Sequence, residues 1–548
     1  MPTITFSLKD FTTLLGKKIN IQEFKELLEY AKAELEQTNG DNVSVKFNDT
    51  NQPYLWSAEG IATLLRGVIG KEKGIPKLNI KKSNKKIIVD ESVNSVRPHI
   101  AAFIAQGPAL NEYILNQLIQ LQEKICDNYG KKREKIAVGI YPTTNITFPV
   151  TYKAVKPESV KFVPLGWHDE QTLAQILLSH QKGKEYGKLL EKATNYPILI
   201  DTKNEILSFP PIINSDTMGN LKPGDTNIFF ETTGTDERAT DLAAIIFAHA
   251  LSMRGYTILS VTITEGKKSI ETPQTKTTTT KINKQDIKKL LGIELKDAET
   301  KKLLEKARYN IKGQTVEVPS YRQDIMHQVD IIEDIAIMYG YNNIPSATIT
   351  TFTRGATTQN TALINTCRQL LTGQGYQEIF SAILSNKKIL QENMRTKEQL
   401  IEIENHTSQT YSAIRTNILP TLLEFLTNNK HVDYPQKIFE QGLTTKRNGN
   451  IITDQELLAI AISHPTTNFT EIRQTITALL NNLGMHDFEI KETEHQSYIQ
   501  GRAVNIFVNN ENIGTFGEIH PEVLSNFGIE MPVAAGEINM DKLQQAKK

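Results

Sequence analysis

Cysteine is nearly absent: the 548 residues hold only Cys126 and Cys367, far apart in the chain. That excludes a disulfide framework and a cysteine-rich zinc module, and it fits a reducing cytosol. Net charge is absent too, with Lys plus Arg and Asp plus Glu at 62 each. A protein that coats nucleic acid is usually basic overall, so any RNA contact must come from local patches. The apolar runs are too short to span a bilayer; residues 242–253, for example, are interrupted by His249. The start, Met1-Pro2-Thr3-Ile4-Thr5-Phe6, has no basic stretch leading into an apolar run, so no signal peptide is expected. No solenoid-type repeat is visible. A soluble, cytoplasmic chain without membrane contact is the expectation.

What is present is ordinary for a globular protein: 39% apolar and 23% charged residues. At ~100–200 residues per domain, the length predicts about three to five domains. The first ~70 residues read strand, helix, strand, helix. Phe24, Leu27, Leu28 and Ala31 have helical spacing, which predicts a helix over 21–35. Ser57 is placed to cap a compact apolar helix over 58–68. Residues 71–86 are rich in lysine and read as a solvated linker or, more sharply, as a phosphate-contacting patch.

From 87 to 264 the pattern mixes long helices (110–129 and 236–254) with strands (137–141, 196–201 and 227–232), an α+β arrangement. The Thr- and Lys-rich stretch 265–281 reads as a mobile loop or boundary. Helices are expected over 284–291 and 297–307 and a strand over 315–318. The remainder alternates helices with amphipathic strands such as 503–508.

The most informative run is Pro319-Ser-Tyr-Arg-Gln-Asp-Ile325 followed by Asp330-Ile-Ile-Glu-Asp-Ile-Ala336 and Tyr339-Gly-Tyr-Asn-Asn-Ile-Pro345. At ~100° per residue, Asp330, Glu333 and Asp334 share one side of a helix. Ile331, Ile332, Ile335, Ala336 and Tyr339 take the other, with Ile337 the exception among the acids. Gly340 and Pro345 end the helix. Close carboxylate pairs in a helix cost about 0.2–0.5 kcal/mol each. Two explanations offset that cost. One is helix-start chemistry, with Asp330 as N-cap and Glu333 three residues on. The other is a hard divalent cation such as Mg²⁺, for which Asp324 supplies a further oxygen. The helical arithmetic also expects the three helix acids to face away from the core.

This run resembles the β subunit of phenylalanyl-tRNA synthetases, in particular the archaeal and eukaryotic-cytosolic form. The resemblance implies Mg²⁺ binding at Asp324, Asp330, Glu333 and Asp334. It extends along nearly the whole chain. Near the start, Asp49-Thr-Asn-Gln-Pro-Tyr-Leu-Trp-Ser-Ala-Glu-Gly-Ile-Ala62 is similar to a family signature, with Gln52 and Tyr54 where Arg and Asp are usual. In the middle, Arg97-Pro98, Gly139-Ile-Tyr141, Ser208-Phe-Pro-Pro-Ile-Ile-Asn214 and Glu231-Thr-Thr-Gly-Thr-Asp236 resemble the family's editing domain. Leu199, Ser208, Asn214, Glu231 and Thr233 match its pocket. Glu231 stands where Asp is commoner and would accept the phenol proton of tyrosine. Ser208 and Thr233 would seat water or the ester. Editing has a physical reason: an apolar pocket rejects an added hydroxyl only ~10²-fold. No Ser-His-Asp pattern is evident, which leaves attack by water.

Toward the end, Ser412-Ala-Ile-Arg-Thr-Asn-Ile-Leu-Pro-Thr-Leu-Leu423, Ile438-Phe-Glu-Gln-Gly442 and Gly514-Thr-Phe-Gly-Glu-Ile-His-Pro-Glu-Val-Leu524 resemble the family's catalytic-like domain. That domain has a class II synthetase fold. A working site carries Phe-Arg-x-Glu in the strand where this chain has Ile-Phe-Glu-Gln-Gly. The resemblance therefore implies an inactive domain that builds an interface with the α subunit. His520, before Pro521, reads as structural. The chain stops at Lys548, without the further module of bacterial β subunits, in keeping with the archaeal or eukaryotic type.

The expected organisation is multidomain α+β. It comprises an N-terminal α/β domain (1–86), an editing domain (87–264), a small winged-helix-like module with the Mg²⁺-binding acidic helix (270–346), and a degenerate class II synthetase-like antiparallel-sheet domain (347–548). The expected function is that of the β partner in an (αβ)₂ phenylalanine–tRNA ligase. The complex would charge tRNA(Phe) using ATP and Mg²⁺, with the aminoacylation site on α, and would hydrolyse mischarged Tyr-tRNA(Phe). A stand-alone deacylase and a non-enzymatic RNA-binding assembly protein are the rival readings.

Overall fold

The structure is a computed structural model that describes residues 2–49 and 51–547. Met1, Lys548 and Thr50, which falls within the 49–62 signature, lie outside the described residues. The chain forms two compact units, residues 1–348 and 349–548.

The first unit opens with an antiparallel sheet in the order Thr3–Ser7, Asn42–Phe47, Ala33–Asn39. Ile4, Phe6, Val43, Val45 and Phe47 point inward, as the two-residue period of a half-buried strand requires. The helix expected over 21–35 spans only Ile21–Leu28. A single turn, Glu29–Ala31, follows; Lys32 then takes a left-handed conformation at φ 51°. Ala33 and Leu35 belong to the next strand, because beyond Ala31 the apolar spacing changes from helical to alternating. Ser57 caps Ala58–Val68, its hydroxyl accepting from the Gly60 N–H at 3.0 Å.

The lysine-rich segment is not a free linker. The Gly74 N–H donates to the Glu305 carbonyl at 3.1 Å, and the Ile75 N–H to Asn310 Oδ1 at 3.1 Å. Ile80–Lys81 and Lys86–Val89 then enter an eleven-stranded mixed sheet.

In that sheet the strand Asn227–Gly234 lies next to one edge, paired antiparallel with His99–Gln106 on one side and with the edge strand Ile136–Pro142 on the other. Ile228 and Phe230 face the long helix Glu237–Met253, while Phe229 joins a separate core on the opposite face. Glu231 and Thr233 share the face of Phe229 by the same period of two. The stretch 265–281 is not a loop. Lys268–Thr272 forms a hairpin with Thr257–Glu265, and Thr278–Lys281 pairs with Thr315–Val318. Repeated threonines, being β-branched, suit strands, and the interspersed lysines keep the exposed edges soluble.

A small three-stranded sheet, Thr278–Lys281, Thr315–Val318 and Asn310–Lys312, carries the helices Lys284–Leu291 and Asp297–Lys306 and then the acidic helix Gln328–Tyr339. The end of the long helix is tied by Arg254 to two helices of the N-terminal region, Leu8–Leu15 and Ala58–Val68. Its guanidinium reaches Asp10 at 2.7 and 2.8 Å and Glu59 at 2.6 Å.

The second unit is built on a seven-stranded sheet. Its long strands Gln436–Asn448, Ile451–Ser463, Val533–Asn539, Glu511–Ile519 and Tyr498–Val508 run antiparallel in that order. Helices Gln359–Gly373 and Phe469–Asn482 contribute to the core on one face, and Leu419–Asn428 to the core on the other. His520 is the N-cap of Pro521–Phe527, its Nδ1 accepting from the Glu522 N–H at 3.1 Å. Among the described residues no helix is long and apolar enough to cross a membrane.

Candidate functional site

The large sheet carries a half-open cavity of about 580 Å³. Its floor follows from strand register. Leu199 lies opposite Ser208, and Ser208 opposite Asn214, across the strands Tyr196–Ile200, Ile206–Phe209 and Ile213–Asn214. Glu231 approaches from the strand Asn227–Gly234, opposite Gly139. A Cβ at position 139 would run into the Tyr141 hydroxyl and Glu231 Oε1, so glycine leaves the space those groups occupy.

The structure brings Ser208, Asn214 and Glu231 together on this cavity. Leu199 is instead fully buried in the core beneath the row. Thr233 is also buried; its hydroxyl accepts from Arg97 Nε at 3.1 Å and its carbonyl from Arg97 Nη2 at 2.7 Å. It positions the end of the strand that bears Glu231.

One residue without an assigned role in the sequence reading is central. The Tyr141 hydroxyl donates to Glu231 Oε1 at 2.8 Å and lies 3.5 Å from Asn214 Oδ1. The quoted Gly139-Ile-Tyr141 run contained the signal: residues 139 and 141 share a face, so a strand paired with Glu231 must present both to it. His180, Trp167 and Arg133 complete the rim. They come from segments whose place depends on tertiary packing.

Glu231 is fully buried, and burial raises its carboxyl to about 7, against smaller opposing effects of the Tyr141 hydroxyl and Arg97. Its second oxygen, Oε2, has no hydrogen-bond partner, and neither has the Ser208 hydroxyl. A buried polar atom left unmatched costs about 1–3 kcal/mol. A ligand hydroxyl that reaches Oε2 recovers that cost, and an otherwise identical ligand without the hydroxyl does not. Burial lowers the His180 imidazole below its usual range; its Nδ1 accepts from the Lys182 N–H at 3.1 Å, which makes it a helix cap.

The acidic helix differs from expectation in register and in burial. Its N-cap is His327, and Asp330 stands three residues in, accepting from the Met326 and His327 N–H groups at 2.7 and 2.8 Å. Asp334 does not face away from the core: it is buried, with Oδ2 2.9 Å from Arg322 and accepting from the Tyr309 hydroxyl at 2.5 Å. Arg322 also forks onto Asp324 at 2.7 and 2.8 Å. Burial works against the charge of Arg322, but Asp334, Tyr309 and Asp324 outweigh it and hold the guanidinium far above its ordinary range. Glu333 is exposed and reaches Lys32 at 2.8 Å. Ile337, placed among the acids by helical arithmetic, is buried.

Arg322 thus takes both Asp324 and Asp334, while Asp330 turns to backbone N–H groups and Glu333 to Lys32, so the four acids do not close around one point. Among the described residues no group of three or more His, Cys, Asp or Glu is arranged to hold a metal ion.

In the second unit Arg415 is buried against Glu440 at 2.7 Å, with its Nε donating to the Leu443 carbonyl at 3.0 Å. Glu440 belongs to the Ile438-Phe-Glu-Gln-Gly442 strand. A Cβ at Gly442 would meet the same guanidinium. The run Ile438-Phe-Glu-Gln-Gly442 thus lacks an arginine of its own but receives Arg415 from the 412–423 segment, which Glu440 neutralises.

Two family models match the chain. One, described as tRNA synthetase B5 domain, covers residues 280–341. The other, described as phenylalanyl tRNA synthetase beta chain CLM domain, covers 344–540. The chain is 41% identical to the phenylalanine–tRNA ligase beta subunit of Pyrococcus horikoshii, over 98% of this chain and 99% of that one. It is 38% identical to that of Thermococcus onnurineus and 35% identical to that of Archaeoglobus fulgidus, in each case over 98% of both chains. A crystal structure of an N-terminal fragment of the phenylalanyl-tRNA synthetase beta subunit from Pyrococcus horikoshii superposes with a TM-score of 0.60 at 40% identity, covering 62% of this chain and 100% of that one.

Two outcomes follow from these geometries. Glu231 titrates at about 7 when folded and near its ordinary 4.5 when unfolded. Between those values the folded chain keeps a proton that the unfolded chain has released. Stability from this group is therefore present at pH 4.5 and lost as pH rises to 7, by up to ~1.4 kcal/mol per pH unit. Glu231→Gln, neutral throughout, should gain on the wild type between pH 5 and 8 in denaturant melts; a constant difference rejects the burial effect. Arg322→Met should lower stability by about 3–5 kcal/mol, because two carboxylates lose their partner. Millimolar Mg²⁺ should not restore the melting midpoint, and recovery would show that the acids hold a metal after all.

Proposed function

Because this chain belongs to the phenylalanine–tRNA ligase beta-subunit family, we propose that it pairs with an α subunit as an (αβ)₂ tetramer. That complex attaches phenylalanine to tRNA(Phe) with ATP and Mg²⁺. The observation that carries this reading is similarity over essentially the full length of beta subunits, both units included. On this reading the second unit, 349–548, is a class II synthetase-like domain without chemistry. Arg415, the arginine that reaches its Glu440 strand, is already neutralised and is not available to bind phosphates. The ATP-bound Mg²⁺ belongs to the α subunit. The small module at 280–341 is read as a winged-helix-like element in which Arg322 holds Asp324 and Asp334.

The cavity at Glu231 is read as the editing site, where Tyr-tRNA(Phe) is hydrolysed. What supports it is the unmatched pair of buried oxygens, Glu231 Oε2 and Ser208 Oγ, on one wall. The tyrosine phenol donates its proton to Oε2, while Tyr141 holds Oε1 and fixes the carboxyl plane. Phenylalanine would leave Oε2 unmatched, and a site built around a hydroxyl can reject the analogue lacking it by ~10⁴–10⁵-fold. Ser208 and Asn214 are the polar groups left to seat the ester and its attacking water. Thr233, engaged by Arg97, is not. No nucleophile–base pair is available at His180, so water rather than a side chain attacks the ester carbonyl.

The chain alone, given ATP, phenylalanine and tRNA(Phe), should form no Phe-tRNA; charging without an α subunit would overturn the assignment. In the complex, Glu231→Ala should slow Tyr-tRNA(Phe) deacylation by at least ~10-fold, the equivalent of one buried hydrogen bond of about 1.4 kcal/mol. Phenylalanine charging should be unaffected. Unchanged hydrolysis would reject the cavity as the editing site and leave the subunit assignment standing.

A further inference from the structure

A second cavity, of about 420 Å³, lies on the other side of the long helix Glu237–Met253. There the helix Ala58–Val68 and the lysine segment meet the end of the helix Asp297–Lys306. Its walls carry Arg66, Lys73, Lys77 and Arg308 against a single acid, Glu72. His249 also lines it. Burial, helped by Arg308, pushes that imidazole down to about 4, so it is neutral near pH 7 and the walls hold three positive charges in excess.

Arg308 is the unusual member. Its side chain is 2% exposed. Nη2 donates to Glu72 Oε2 at 2.7 Å, while Nε and Nη1 have no acceptor within hydrogen-bond distance, although the equally unmatched Tyr321 hydroxyl lies close enough to feel the guanidinium. Unmatched donors on a buried guanidinium are costly. The surrounding chain nevertheless holds Arg308 in place. Its backbone takes φ 71°, a left-handed value that glycine usually supplies just beyond a helix end. Gly67 lets the helix Ala58–Val68 close onto it, since a Cβ there would strike the Lys306 carbonyl and Arg308 Cδ. Glu72 is shared, with Oε1 accepting from Arg66 Nη1 at 2.8 Å. Lys73 and Lys77 are exposed at the mouth.

We propose that this cavity binds a phosphate group, with Arg308 donating from Nε and Nη1 and Lys73 and Lys77 closing over the remaining oxygens. The donor set is one-sided: it offers N–H groups and positive charge. Of the common anions, a phosphate presents enough acceptor oxygens to meet a guanidinium edge and two ammonium groups together. A carboxylate, with two oxygens, would leave part of the set unmatched. The phosphate comes from an RNA backbone or from a small phosphate ester. The lysine segment supports the first source, because single strands and duplexes alike are held by such patches.

The test is titration of the complete chain with sodium phosphate at constant ionic strength, read by calorimetry and by the melting midpoint. Wild-type chain should show saturable binding and a raised midpoint that chloride does not reproduce. Lys73→Gln/Lys77→Gln, at exposed positions that leave the fold intact, should weaken binding at least tenfold, and Arg308→Gln should abolish it. If Arg308→Gln does not fold, the double variant decides. Displacement of bound phosphate by tRNA identifies an RNA phosphodiester as the natural occupant, and retention points to a free phosphate ester. No saturable binding by the wild type, or unchanged affinity in the double variant, overturns the site.

Discussion

A guanidinium cannot be taken out of water without partners for its charge and its N–H groups, and the first unit is organised around that constraint. Arg97 clamps the end of the Glu231 strand through Thr233 and through the carbonyls of Arg133 and Glu134. Arg254 ties the long helix to Asp10 and Glu59. Arg322 joins Asp324 on a loop to Asp334 on the acidic helix. Arg97 and Arg254 draw together segments that are distant in sequence and fix elements that border a cavity. Removing one would leave carboxylates or carbonyls unmatched, so these contacts specify position more than they add net stability. Arg308 sits in the same kind of seam but with two of its three nitrogens unmatched.

Much of this was legible in the sequence where a local rule applies. Ser57 and Asp236 start helices because a short polar side chain can accept from an N–H three residues on. The strands at 136–142, 196–200 and 227–234 follow from alternation and β-branching. Elsewhere tertiary context decided. Asp334 has the chemistry of a surface residue, yet Arg322 and Tyr309, brought in by other segments, make its burial tolerable. Helical arithmetic sees only the angle around one axis and cannot place a partner on a neighbouring loop. The same limit explains the residues around the first cavity. Ser208, Asn214 and Glu231 line it, whereas Leu199 and Thr233 are buried behind it. Tyr141 was visible only as a letter in a motif; the fold gave it Glu231 as a partner.

The two cavities of the first unit divide the kinds of polar atom left unmatched. The one at Glu231 is backed by unmatched buried acceptors, Oε2 and a hydroxyl, in a pocket with substantial apolar lining. The one at Arg308 is backed by unmatched buried donors among lysines. On the proposals above, an aromatic alcohol suits the first and an anion the second. The second unit spends its buried arginine differently: Arg415 is neutralised by Glu440 and Ser381 inside the sheet, an arrangement suited to rigidity.

Gly139 gives the first cavity an evolutionary fragility. Every glycine codon lies one base from an alanine codon, and a single methyl at this position would enter the space now shared by Tyr141 and Glu231. The residue has no side chain to mark it as functional. On the proposed reading of this cavity as an editing site, fidelity would be lost in a lineage through one point mutation while every charged or polar residue of the pocket remained in place.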